Sequence, residues 1–93
     1  MHEHRSVPSV AEVFAENMRR ERRRIDLNQE RCGARARLHR TEISLLERAQ
    51  RVPRIDTLLR IAGALEVEPA VLLRGIEWIP VLRDYDESGW ALP

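Results

Sequence analysis

The chain has 93 residues, enough for one compact domain with short tails and too few for a second core. Its formal net charge of +1 conceals a basic middle: residues 19–60 carry 13 Arg against six acids, a net of +7, between flanks of −2 and −4. Apolar residues make up 43% of the sequence, yet only Phe14, Trp78, Tyr85 and Trp90 are aromatic, and three of these follow residue 77, so the main core has to be aliphatic.

The single Cys32 excludes an internal disulfide and fits a reducing compartment. No apolar run approaches the roughly 18 residues of a membrane span, and the N-terminus does not resemble a signal peptide. The expectation is a cytoplasmic, all-α protein with no membrane partner. A basic centre between acidic ends suggests one surface for a polyanion. All 16 basic residues are Arg, which coding bias also produces, so that feature carries little weight.

Residues 1–9 read as a flexible arm, with Pro8 and Ser9 placed to open a helix. From Val10 to about Arg24 the positions Val10, Val13, Phe14 and Met18 recur at helical spacing. Asp26-Leu27-Asn28 breaks the pattern, and Asn28 is a good cap for a second helix over Gln29–Ala36. A third helix fits His39 to about Arg48, with His39 standing where Ser or Thr is more usual. Pro53 marks a connection. Ile55 to Leu65 is the clearest helix, with Leu58, Ala62 and Leu65 in one stripe widened by Leu59 and Ile61. Pro69 opens a brief fifth helix to about Leu73, ended by Gly75. Residues 10–75 are thus the expected domain, and few large apolar side chains should remain exposed on it. Residues 76–93 form a separate tail with both Trp residues, for which a short β-hairpin is one candidate.

The two short helices over 29–36 and 39–48 make a helix-turn-helix candidate. Cys32, Ala36, Leu38, Ile43 and Leu46 can lock them at a steep angle, leaving the N-terminal side chains of the second free to enter a major groove. Arg40, Thr41, Ser44 and Leu45 are expected to point outward, with Glu42 the one acid among them. The same pattern also fits an ordinary helical hairpin.

From Leu27 onward the stretch LNQERCGARARLHRTEISLLERAQRVPRIDTLLRIAGALEVEPAVLL resembles the lambda-repressor-like, Cro/cI-type (XRE) helix-turn-helix family. Leu27, Gln29, Glu30, Ala36, Leu38, Ile43, Ser44, Glu47, Arg48, Pro53, Thr57, Leu58, Ile61, Ala62, Ala64, Leu65 and Val67 fall in register, and the likeness covers about residues 10–74. It implies a five-helix bundle that binds double-stranded operator DNA, usually as a homodimer. It also implies that Arg40, Thr41 and Leu45 meet base edges. Gln29 would bind a phosphate and buttress the reading helix, Ser44 and Arg48 would lie near the backbone, and Arg51 and Arg54 would contact phosphates. Glu47 would pair with Arg22. Two departures stand out: Arg37 and Ala49 occupy sites where the family uses glycine, often with φ > 0. In addition, Cys32-Gly33 replaces Leu-Ala, and Glu21 stands where Leu is common.

No spacing sets up a nucleophile with a base, a phosphate loop or paired carboxylates, so neither an enzyme nor a cofactor is expected. His2 and His4 on the arm are read as incidental, with no metal site. The rival reading is an antitoxin or adaptor of the same fold whose main role is to bind a protein partner. For dimerisation the tail is the candidate, through Trp78, Ile79, Val81, Leu82 and Trp90.

Overall fold

A computed structural model describes residues 8–77. Among them the chain forms five helices and no strand: α1 Val10–Arg24, α2 Gln29–Ala36, α3 Arg40–Glu47, α4 Ile55–Leu65 and α5 Pro69–Leu72. The expected hairpin and tail contacts after residue 77, and His2 and His4, lie outside the described residues.

Each helix starts for a local reason. At α1, the Ser9 hydroxyl accepts from the Glu12 N–H at 3.1 Å while Glu12 Oε1 accepts from the Ser9 N–H at 2.7 Å, a reciprocal capping box. The hydrogen bond from the Ser9 backbone holds the Glu12 carboxyl below its ordinary value. At α2, Asn28 Oδ1 accepts from the Arg31 N–H at 2.7 Å. At α3, His39 does the work of a Ser or Thr, its Nδ1 accepting from the Thr41 N–H at 3.0 Å. His39 and Arg48 are therefore the flanking caps of α3 rather than its first and last turns.

The first four helices also stop in one way. Asp26, Arg37, Ala49 and Glu66 follow α1 to α4 with φ between 55° and 59°. In each case the next residue's N–H reaches back five positions to a carbonyl: Leu27 to Arg22, Leu38 to Gly33, Gln50 to Leu45 and Val67 to Ala62, at 2.8–3.1 Å. These are Schellman closures. None uses glycine, although a left-handed conformation costs an L-residue about 1–2 kcal/mol. The sequence pointed to Arg37 and Ala49; Asp26 and Glu66 carried no such signal.

The core joins Phe14 and Met18 of α1, Leu27, Cys32 and Ala36, Ile43 and Leu46 of α3, Ile61, Ala62, Ala64 and Leu65 of α4, and Leu72 of α5. Each large aliphatic or aromatic side chain in it contributes about 1.5–3 kcal/mol by leaving water. α2 packs on α3 and α4, α1 on α3 and α5, and α5 also on α4. Two stripe assignments need correcting. Val10 is exposed at the first turn of α1, and Leu59 points away from the core, so that Ala64 rather than Leu59 completes the inner face of α4. The expectation of few exposed apolar side chains also fails: Val52, Ile55, Leu59 and Leu73 are all open to solvent, Ile55 at 77%. Periodicity alone cannot say which edge of a wide apolar stripe lacks a neighbour, and only the packing of α4 decides it.

One polar tie replaces packing at the end of the bundle. Asn17 is buried, and its amide donates to the Leu72 and Arg74 carbonyls at 2.9 and 2.8 Å, capping the C-terminal end of α5 from α1. Among the described residues every buried side-chain nitrogen and oxygen has a hydrogen-bond partner.

Candidate nucleic-acid interface

Three residues separate α2 from α3, and their geometry depends on Gly33. A methyl group there would lie 2.6 Å from the Leu38 carbonyl oxygen and 3.5 Å from Ile43. The absent side chain is what lets the turn fold down onto α2. Below the turn, Cys32, Ala36, Ile43 and Leu46 are buried and Leu38 packs against them, so α3 is fixed along one face. Burial in this aliphatic setting pushes the Cys32 thiol up to about 11.

The opposite face of α3 is free. Arg40 and Thr41 are exposed in its first turn and Arg48 is exposed at its end, while Ser44 and Leu45 are half-buried rather than fully outward. Arg51 and Arg54 are exposed in the connection that follows. Arg54 Nε lies 3.6 Å from Asp56, whereas Arg51 Nη1 lies 2.5 Å from Glu42 on α3.

Behind α3, two side chains, Arg22 and Gln29, converge on the Glu47 carboxylate, and a third, Arg19, reaches the Glu47 backbone. Arg22 donates from Nε to Glu47 Oε2 at 2.6 Å and from Nη2 to Oε1 at 2.8 Å, and its Nη1 donates to the Leu27 carbonyl at 2.8 Å. Gln29 Nε2 donates to Glu47 Oε1 at 3.1 Å. Arg19 donates to the Glu47 backbone carbonyl, at the end of α3. The Glu47 side chain is only 2% exposed and that of Arg22 12%. Its bond to Glu47 raises the Arg22 pKa above the ordinary arginine value. The structure thus brings Arg22, Gln29 and Glu47 together, and α1, α2 and α3 are tied at this point. Arg19 was not anticipated: a run of Arg at the end of α1 gives no sign of which member turns inward.

The helix-turn-helix family model HTH_3 matches residues 18–72, more than half of the chain. The chain belongs to the Cro/cI-type (XRE) helix-turn-helix family. Solved structures of similar fold support this. The restriction-modification controller protein C.AhdI from Aeromonas hydrophila is 31% identical, with 67% of this chain and 94% of that one covered and a TM-score of 0.65. The P22 c2 repressor, solved with a synthetic operator, is 29% identical over 67% of this chain and 94% of its own, with a TM-score of 0.62. A hypothetical transcription factor, NHTF, from Neisseria is 29% identical over 78% of this chain and 84% of its own, with a TM-score of 0.68. No curated protein sequence matches the chain. No helix among the described residues of this family member is long and apolar enough to cross a membrane.

Proposed function

We propose that this helix-turn-helix regulator of transcription works as a homodimer on a palindromic operator, with α3 lying in the major groove. The observation that carries the reading is the two-sidedness of α3. Ile43, Leu46 and Glu47 anchor it, while Arg40 and Thr41 stand exposed at the end that would enter first. Arg40 is suited to paired hydrogen bonds with guanine, and the Thr41 and Leu45 methyl groups to contact with thymine. Gln29, Ser44 and Arg48 serve as positioning contacts, with Arg51 and Arg54 on phosphates. The P22 c2 repressor, similar over most of its length, was solved with an operator, which supports the same substrate here.

Two copies are needed because one short helix reads too few bases. A dimer places two such helices about 34–36 Å apart, one turn of DNA. Selection of bound sites from random duplexes tests the reading directly. A palindromic consensus with half-sites about one helical turn apart is expected, and recovery of no consensus overturns it. The second reading, a domain that chiefly binds another protein, draws on the apolar Val52, Ile55 and Leu59 surface. It predicts no enriched sequence in the same selection.

A further inference from the structure

Glu42 is the one acidic residue in the first turn of α3, beside Arg40 and Thr41, on the side that the proposed function turns toward DNA. A carboxylate there opposes a polyanion, so its presence needs a physical account. Two of the described helices carry Glu three residues after the cap, and they use it differently. After Ser9, Glu12 folds back and closes the capping box at 2.7 Å. After His39, Glu42 Oε1 instead takes Arg51 Nη1 at 2.5 Å, nine residues along the chain. The pair joins the reading helix to the connection that follows it, just beyond the left-handed turn at Ala49.

We propose that Glu42 is a positioning residue for Arg51, and that the pair sets selectivity between DNA sequences rather than overall affinity; this rests on the DNA-reading role given above. Glu42 is the sheltered member, its side chain 26% exposed against 56% for Arg51. A guanidinium has five N–H donors in a fixed fork. One is engaged with Glu42, and the others stay available to phosphate or base edges. Anchoring through one donor fixes where the rest point, which a free Arg on a loop would not do. The carboxylate also cancels part of the charge that would otherwise hold Arg51 to any phosphate. Fixed direction favours the correct duplex, and cancelled charge disfavours random ones, so both effects raise the ratio between them. A partly exposed pair adds little to fold stability, and the melting temperature of a variant lacking it should stay at the wild-type value.

The test measures dissociation constants of the full chain for the duplex enriched by selection and for a scrambled duplex, at several salt concentrations. Wild type, Glu42→Gln, Arg51→Ala and the double variant are compared. Glu42→Gln is expected to bind the scrambled duplex more tightly, with a steeper salt slope, and to lower the selected-to-scrambled ratio about tenfold. In the Arg51→Ala background the same change should leave the ratio unmoved. Should Glu42→Gln lower the melting temperature, Arg51→Ala makes the comparison with no substitution in α3. It loses a phosphate contact on both duplexes but more on the selected one, where the direction fixed by Glu42 counts, so the ratio is again expected to fall. A wild-type ratio preserved in both single variants overturns the inference while leaving the proposed function intact. A wild type that prefers no duplex overturns the proposed function itself.

Discussion

Arg22 and Glu47, 25 positions apart in sequence, meet through two parallel hydrogen bonds of 2.6 and 2.8 Å in the interior of the bundle. The pair fixes the end of α3 against α1, and Gln29 on α2 shares one of its oxygens. Since three helices depend on one carboxylate, the angle at which α3 leaves the bundle depends on it as well.

Glu47→Gln should therefore cost about 3–5 kcal/mol, because the Arg22 charge stays buried without its counterion. In a domain of this size each kcal/mol lowers the melting temperature by about 4–8 °C. Arg22→Met should be costly for the same reason, and the double variant less costly than the sum. A thermal-unfolding cycle that finds the two changes additive refutes the pairing.

Ala49→Gly and Arg37→Gly should each raise stability, by about 0.5–1 kcal/mol, since both residues hold φ of 59° without glycine's freedom. The gain is smaller than the conformational cost because glycine also loosens the unfolded chain. Denaturant midpoints of the two variants check it, and a loss at both positions would contradict the Schellman geometry.

Arg40→Ala should weaken binding to the selected operator by about 1–3 kcal/mol and relax preference at one base position. Binding to random duplex should change much less. Titration against single-base variants of the operator reads both effects, and equal losses on operator and random DNA would demote Arg40 to a phosphate contact.

Cys32 offers a pH test. Its thiol is raised from 9.0 to about 11 by burial, so the folded state favours the neutral form. The associated stability is intact below pH 9 and is lost progressively as pH rises from there toward 11. Cys32→Ser should flatten that alkaline decline. At pH 8 the thiol of the native protein should react with a disulfide reagent far more slowly than that of the denatured chain.

Truncation after Gly75 decides between two dimer surfaces. The tail holds Trp78, Ile79, Val81, Leu82 and Trp90, and large aromatic residues suit interface centres. The described domain offers a different surface in Val52, Ile55 and Leu59. Sedimentation of a truncated chain that is still helical by circular dichroism should show a monomer with weakened operator binding. A persisting dimer moves the interface to the α4 surface.

Helix content and most boundaries were legible because they are local. Caps such as Asn28, breaks such as Pro53, and apolar residues three and four apart act within one or two turns of their own helix. Gln29–Ala36 and Ile55–Leu65 come out of the sequence with the bounds the structure has. The positions of Arg22 and Glu47 were accessible through family register, which is long-range information that the chain alone does not carry.

What only tertiary structure decided is which of several equivalent residues turns inward. Arg19, Arg20, Arg22, Arg23 and Arg24 are alike by composition, yet Arg19 and Arg22 reach Glu47 while Arg20 and Arg24 pair with Glu16 and Glu21 on their own helix. Asn17 reads as one more polar position until α5 packs over it and presents two carbonyls. Leu59 reads as core until α4 turns it to solvent. Local sequence sets the backbone of each helix, because capping and periodicity act over a few residues. The rotation of one helix against another is set by all their contacts together, and it selects which side chains are buried, paired or left to meet DNA.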